Sequence, residues 1–224
     1  MERVIDEQSP AALPGQPGPV YVFDLDGVIR RFDSATSDAP IESALGLPAG
    51  SVSAAAFDGP ELVEVVEGRM TYAAWGDTIR DKLTRASGVR ELDPGIVTPW
   101  LDYHGQLVAE TVELIDELND ADHPVFVFTN GTDNIPVELA THDLGRRFRR
   151  VLNSSDFGVR KPALAAFERA HAAIEETLRH PVERHAVRFT DDRLDNVDGA
   201  RQFGWTSEVF TTASALKVAW QLGG

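Results

Sequence analysis

Three short apolar segments, each followed by turn residues, place the strongest constraint on how this chain folds. They are VYVF at 20–23, PVFVFTNG at 124–131 and HAVRFTDD at 185–192. Two weaker strand candidates lie at 149–156 and 206–212. Helical patterns occupy the sequence between these segments, and this alternation predicts an α/β fold with a parallel sheet and helices on both faces.

The helical patterns carry their own start and stop signals. The segment 105–121 has apolar residues, Leu107 among them, on one helical stripe. The segment 161–178 has Pro162 where the first residue of a helix is expected, a position that proline favours. The segment 194–204 ends in a glycine, which is typical of a helix end.

A long stretch without strand signals interrupts the alternation at residues 31–105. Its pieces read as short helices, and Thr71 is a candidate N-cap for one of them. Because the stretch is too long for a loop, we expect a separate helical module inserted after the first strand. The predicted core is then 20–30 together with 106–224, and residues 1–19, rich in proline and glycine, are predicted to be a flexible tail.

Composition excludes several classes of function. The formal net charge of −15 argues against a broad basic face for DNA, RNA or an anionic membrane. The chain has no cysteine, which excludes disulfides, thiolate catalysis and cysteine-ligated metals. No apolar run is long enough to cross a bilayer, and the N-terminus lacks a signal-peptide core, so we expect a cytoplasmic protein.

Polar residues follow the predicted strands where ligands bind in parallel α/β sheets, beyond the carboxyl ends of the strands. After the inserted stretch, these groups are separated by about one strand–helix repeat of ~30 residues, so they fall on one edge of the sheet. The groups are Asp24 with Asp26, Thr129 with Asn130 and Gly131, Lys161, and Asp191 with Asp192.

The charges at this edge predict a metal ion and an anionic ligand. Four carboxylates, from Asp24, Asp26, Asp191 and Asp192, would repel one another with Lys161 as the one nearby cation. A hard divalent cation resolves this conflict, and oxygen ligands favour Mg²⁺.

The remaining groups suit a phosphate that such a metal would bind. Thr129 offers a hydroxyl, the turn at Asn130 and Gly131 offers backbone N–H donors, and Lys161 offers an ammonium group. We therefore expect a small phosphorylated metabolite as the partner of this site.

Four motifs in order, DLDGV, FTNGT, GVRKP and FTDDRLDN, resemble those of the haloacid dehalogenase-like (HAD) superfamily. The resemblance extends from about residue 20 to the end of the chain. It implies a Rossmann-like core, and the helical stretch 31–105 resembles the C1 cap that this superfamily inserts after the first motif.

The resemblance also implies roles for individual residues. Asp24 would be the nucleophile, and Asp26 would be the general acid and later the base. Lys161 would balance the charge on Asp24 and on the phosphoryl group. Thr129 would hydrogen-bond the phosphoryl oxygens, with Asn130 and Gly131 beside it.

The metal would be Mg²⁺, held by Asp24, by the backbone carbonyl of Asp26 and by Asp192. Asp191 would act through water or orient its neighbours, and Asn196 would support this loop.

The implied activity is a Mg²⁺-dependent phosphohydrolase that cleaves a small phosphomonoester through an aspartyl-phosphate. Three alternatives stay open: a phosphomutase, a 2-haloacid dehalogenase, and a non-catalytic domain that binds a phosphometabolite. Asp26 argues against the dehalogenase, because dehalogenases of this superfamily usually lack the second aspartate. The sequence leaves open whether the protein is a monomer or a homodimer.

Overall fold

A computed structural model describes residues 18–222 of the chain. The tail predicted at 1–19 lies outside the described residues except for residues 18 and 19. Seven strands follow one another in the described part: β1 (Val20–Phe23), β2 (Arg30–Arg31), β3 (Gln106–Leu107), β4 (Val125–Thr129), β5 (Val151–Asn153), β6 (Val187–Asp191) and β7 (Thr206–Val209).

Twelve α-helices lie in the same described range. They are α1 (Ser34–Ser37), α2 (Ala39–Leu45), α3 (Ser51–Phe57), α4 (Glu61–Val66), α5 (Tyr72–Ser87), α6 (Pro94–Leu101), α7 (Ala109–Asp120), α8 (Ile135–Thr141), α9 (Ser154–Phe157), α10 (Leu164–Leu178), α11 (Leu194–Phe203) and α12 (Ala213–Ala219). None of them is both long and apolar enough to span a membrane.

Five of the strands form the predicted parallel sheet, in the order β5-β4-β1-β6-β7. The central strand β1 pairs with β4 through Tyr21 and Val125, and with β6 through Val20 and Val187. All four strand pairs are parallel, so the carboxyl ends of β1, β4 and β6 meet at one edge. The α/β fold expected from the sequence is confirmed.

Each face of this sheet has its own apolar core, because side chains along a strand alternate between the two faces. Tyr21 and Phe23 pack on one face with residues of α7, α8 and α12. Val20 and Val22 pack on the other face with residues of α10 and α11. The central strand is therefore buried on both sides, which explains why it is apolar throughout.

Two predicted helix starts are wrong, and tertiary contacts explain both. The helix α7 begins at Ala109 because Leu107 belongs to β3, where it pairs with Arg30. The helix α10 begins at Leu164, after Pro162, because the backbone N–H and C=O of Lys161 bond to the side chain of Asn130 instead of continuing a helix. The predicted end of α11 is confirmed.

The helices α1–α6 form what we call the helical segment, residues 34–101. It encloses a third apolar cluster, with Ile79 and Val65 at its centre. The N-cap predicted at Thr71 is present, with its hydroxyl oxygen 3.2 Å from the backbone nitrogen of Ala74. The chain leaves and re-enters the core through the antiparallel pair β2–β3. The domain boundaries drawn from the sequence stay a prediction.

Two hydrogen bonds join the helical segment to loops at the carboxyl edge of the sheet. The backbone N–H of Tyr72 donates to Oδ1 of Asp133 at 2.7 Å. The hydroxyl of Ser154 donates to the backbone carbonyl of Val66 at 2.5 Å. The helical segment therefore lies over the edge of the sheet at which the polar motif residues are located.

We predict that Phe167→Ala lowers the free energy of unfolding by about 4 kcal/mol, because it removes a fully buried ring that packs against Phe128, Phe189 and Trp205. Urea denaturation followed by circular dichroism measures the change. The control is Val218→Ala in α12, where the side chain is 79% exposed and a change within ~0.5 kcal/mol is expected. Equal losses from both variants would contradict this account of the core.

Candidate active site

The ammonium group of Lys161 joins the ends of three neighbouring strands. Its Nζ donates to Oδ1 of Asp24 at 2.8 Å, to Oδ2 of Asp191 at 2.7 Å and to the backbone carbonyl of Phe128 at 2.7 Å. Lys161 is only 1% exposed, so these bonds use all three N–H groups of the ammonium away from water. The sequence placed Lys161 beside Asp24, and the structure brings the two together.

Burial and charge act in opposite directions on this cluster. Burial raises the pKa of Asp24 to about 7, with Lys161 opposing this change and Asp191 adding to it. Burial lowers the pKa of Lys161, but Asp24 and Asp191 outweigh it and the net change is upward. Burial, followed by the charge of Asp191, also raises the pKa of Asp192. Lys161 therefore stays charged, while the carboxylates still favour additional positive charge.

The carboxylate of Asp191 is held in one orientation. Nδ2 of Asn196 donates to both of its oxygens at 3.0 Å, and the backbone N–H of Arg193 donates to Oδ1 at 2.9 Å. Together with Lys161, these donors occupy both oxygens of this fully buried group. This geometry suits the supporting roles predicted for Asp191 and Asn196.

Three carboxylates form a group that fits a divalent cation. Asp24, Asp191 and Asp192 each offer an oxygen, and these oxygens lie within 4.8 Å of one another. With the three groups ionised and Lys161 protonated, the net charge is −2, which one Mg²⁺ would balance. Oxygen ligands of this kind are those that Mg²⁺ prefers.

Gly27 makes room for Asp192 in this group. A Cβ at Gly27 would lie 2.3 Å from Oδ2 of Asp192, and the backbone of Gly27 has φ +87°, which favours glycine. Gly27 was not among the site residues predicted from the sequence. The sequence signal that could have identified it is its position directly after Asp26 in the DLDGV motif.

Asp26 lies in a different environment from Asp24. Its side chain is 48% exposed, lines the cavity described below and pairs with Nε of Arg30 at 2.5 Å. The buried Arg30 also pairs with Oε2 of Glu138 at 2.7 Å. Arg30 and Glu138 were missed from the sequence, because the ion pair joins two segments that are distant along the chain.

The loop after β4 is fixed by its side chains. Nδ2 of Asn130 donates to the backbone carbonyl of Lys161 at 3.0 Å, and Oδ1 of Asn130 accepts from the backbone N–H of Lys161 at 2.9 Å. A Cβ at Gly131 would lie 2.4 Å from Cγ1 of Ile135, so only glycine fits there. Thr129 is buried at the end of β4. The substrate-binding roles of these three residues stay predictions.

A cavity of about 510 Å³ lies between this edge and the helical segment. Asp26, Asn130 and Gly131 line it on the side of the sheet. Residues of the helical segment, among them Trp75 and Trp100, line the opposite side. The volume suits a small organic molecule.

The sequence matches the haloacid dehalogenase-like hydrolase family over residues 19–204. The chain therefore belongs to this family and is a HAD-like hydrolase, as its four motifs indicated. A search of curated proteins finds no significant match.

Solved structures of HAD enzymes share this fold. An HAD family enzyme from Bacteroides thetaiotaomicron aligns with a TM-score of 0.68 at 16% identity, covering 92% of this chain and 99% of that chain. YfnB from Bacillus subtilis, described as a putative HAD-hydrolase and bound to magnesium, aligns with a TM-score of 0.65 at 18% identity. The alignment covers 92% of this chain and 100% of that chain. L-2-haloacid dehalogenase from Xanthobacter autotrophicus, with chloropropionic acid covalently bound, aligns with a TM-score of 0.60 at 17% identity. The alignment covers 92% of this chain and 85% of that chain. At these identities the likeness concerns the fold alone.

We predict that Arg30→Met lowers the free energy of unfolding by about 3 kcal/mol, because it leaves the buried carboxylate of Glu138 without its cation. The double variant Arg30→Met/Glu138→Met is expected to recover most of this loss, since the carboxylate of Asp26, which also loses its partner, is half-exposed and no buried unpaired charge remains. Chemical denaturation measures both changes.

The control is Arg85→Met, because Arg85 forms an exposed ion pair with Asp81 at 3.9 Å. Its stability is expected to equal that of the parent protein. A double variant no more stable than Arg30→Met alone would contradict a compensated buried pair.

Proposed function

We propose that the protein is a Mg²⁺-dependent phosphohydrolase that cleaves a small phosphomonoester through an aspartyl-phosphate. The observation that carries this proposal is the fixed contact of Lys161 with Asp24 and Asp191, next to Asp192. The Bacteroides thetaiotaomicron HAD enzyme was also solved in complex with magnesium and inorganic phosphate, which supports the same ligands here. We further propose that residues 31–105 are a cap and that the protein is cytoplasmic.

The proposed metal ligands are the side chains of Asp24 and Asp192 and the backbone carbonyl of Asp26. The close oxygens and net negative charge of Asp24, Asp191 and Asp192 support the two side-chain ligands of this assignment. When bound, Mg²⁺ would reduce the repulsion between Asp24 and the substrate phosphoryl group. Asp191, whose oxygens already accept hydrogen bonds, would orient this cluster.

The reaction has two steps that use the aspartates of the first motif. In the first step, a carboxylate oxygen of Asp24 bonds to phosphorus while the bond from phosphorus to the ester oxygen breaks. The carboxyl group of Asp26 donates its proton to that leaving oxygen. In the second step, the carboxylate of Asp26 takes a proton from water, the water oxygen bonds to phosphorus, and phosphate leaves Asp24.

Lys161 and Thr129 contribute without changing their bonds. The ammonium group of Lys161 stands against Asp24 before the reaction, so no reorganisation is needed when negative charge passes to the phosphoryl oxygens. The hydroxyl of Thr129 and the backbone N–H of Gly131 would donate hydrogen bonds to those oxygens.

Asp26 decides between the phosphatase and the dehalogenase readings of this fold. A phosphate ester needs a proton on its leaving oxygen, whereas a halide leaves without one. The side chain of Asp26, which lines the cavity, is suited to deliver that proton. This is why we favour the phosphatase although one structural neighbour is a dehalogenase.

We predict that EDTA lowers phosphate release from p-nitrophenyl phosphate by at least ~100-fold, because the carboxylate cluster then repels the phosphate. Added Mg²⁺ is expected to restore the activity. Ca²⁺ serves as the matched control and should restore less, since it prefers more ligands at longer distances. Activity that survives the chelator would contradict the proposed cofactor.

We predict that Asp24→Asn lowers kcat for phosphate release by at least ~1,000-fold, because an amide oxygen is a poor nucleophile.

Asp26→Asn is expected to lower kcat/KM by about 100-fold or more for an alkyl phosphate, which needs a proton on its leaving oxygen. The loss should be smaller for p-nitrophenyl phosphate, whose leaving group departs unprotonated.

The control for both variants is Asp122→Asn, at a side chain that is almost fully exposed and outside the cavity. Its activity should equal that of the parent protein. Equal losses of Asp26→Asn on the two substrates would refute the general-acid role, and chloride release from 2-chloropropionate without phosphatase activity would refute the proposed function.

A further inference from the structure

A buried carboxylate stands in the cavity on the side of the helical segment. Asp38 is 6% exposed and lines the cavity. Its Oδ1 accepts from the hydroxyl of Ser37 at 2.6 Å and from Nε1 of Trp100 at 2.8 Å, and its Oδ2 accepts from the hydroxyl of Ser53 at 2.5 Å. Within residues 18–222, no Lys, Arg or His side chain forms an ion pair with it.

This partner set is unusual for a buried acidic group. Neutral donors hold Asp38 in place but leave its charge uncompensated, and buried charges are generally paired. Two of the hydrogen bonds come from different helices, α3 and α6, so the position of the carboxylate is fixed. A cationic group arriving in the cavity would supply the missing charge.

Aromatic rings make up much of the wall around this carboxylate. Trp75 and Trp100 lie 5.9 Å apart between ring centroids, and Phe57 lies 6.3 Å from Trp100. The faces of such rings attract organic cations, most strongly where water is excluded. The aromatic residues that line the cavity are Phe32, Phe57, Tyr72, Trp75, Trp100 and Tyr103.

The other charges of the cavity wall do not reverse this preference. Arg30 is the one basic residue among the described lining residues, and it is already paired with Asp26 and Glu138. With Asp38, the wall carries three carboxyl groups against one guanidinium, so its net charge is −2 when all three are ionised and −1 when Asp26 holds the proton that it donates in the first step. A second anionic group on the substrate would be repelled here, whereas a cation would be attracted.

We propose that the substrate is a phosphomonoester that also carries an organic ammonium group. The phosphoryl group lies at Asp24, and the ammonium group lies against the rings near Asp38. This inference rests on the proposed phosphatase function, which supplies the phosphoryl end of the ligand. Asp38 and the aromatic wall supply selectivity for the other end.

The test compares two isosteric esters that differ in charge at the far end, with a smaller anionic ester as a third probe. The probes are phosphocholine, its neutral isostere 3,3-dimethylbutyl phosphate, and the anionic phosphoglycolate, with kcat/KM measured from phosphate release in Mg²⁺. We expect phosphocholine to exceed the isostere by at least ~10-fold and phosphoglycolate to be the poorest substrate. Equal values for phosphocholine and the isostere would overturn the proposal.

Variants then locate the source of the preference. Asp38→Asn keeps the size of the side chain but removes its charge, and it should reduce the ratio of phosphocholine to isostere to ~2 or less. Phe57→Leu removes a half-exposed ring and should reduce the ratio by about threefold. If Asp38→Asn does not fold, Phe57→Leu carries the test. The control is Asp81→Asn on α5, exposed and outside the cavity, which should leave the ratio unchanged.

The two proposals fail in different ways. If no ester, including p-nitrophenyl phosphate, releases phosphate, the phosphatase function is wrong. If p-nitrophenyl phosphate is hydrolysed and Asp38→Asn leaves the ratio of phosphocholine to isostere at its parent value, only the ammonium site is wrong.

Discussion

The ion pairs of Lys161 hold the candidate active site together. An ammonium group buried to this extent is stable only if its charge and all of its N–H groups are satisfied, and the ends of β1, β4 and β6 together supply what it needs. The side chain of Asn130, in the loop after β4, binds the backbone N–H and C=O of Lys161 and so fixes the loop after β4 to the loop that carries Lys161. The arrangement of the site and of the loop after β4 therefore depends on one residue, Lys161.

The two aspartates of the first motif lie in different surroundings because the backbone bends at Leu25, between them, as the chain leaves β1. Asp24 is buried against a cation, and its ionised form is disfavoured by burial more than it is favoured by Lys161. Asp26 stands at the cavity wall beside Arg30. Two identical side chains in unlike surroundings can serve unlike tasks, and this difference supports the proposed roles of Asp24 as nucleophile and Asp26 as proton carrier.

The sequence was sufficient for the five strands of the parallel sheet and for the convergence of the motif residues, because these follow from alternation along the chain and from the geometry of parallel strands. It did not reveal the short pair β2–β3. It was insufficient where a partner comes from a distant segment. Glu138 compensates Arg30 across the core, and Trp100 binds Asp38 within the helical segment. Tertiary hydrogen bonding also overrode the local signal of Pro162, since the backbone of Lys161 is bound to Asn130.

The antiparallel pair β2–β3 brings the two ends of the helical segment side by side, with Arg31 opposite Gln106. Backbone hydrogen bonds between β2 and β3 hold the start and the end of the helical segment together. The distance between these two points is therefore independent of the residues of the helical segment. A change in the sequence or length of the helical segment is therefore not expected to move β1, β4 and β6, the strands whose ends form the candidate active site.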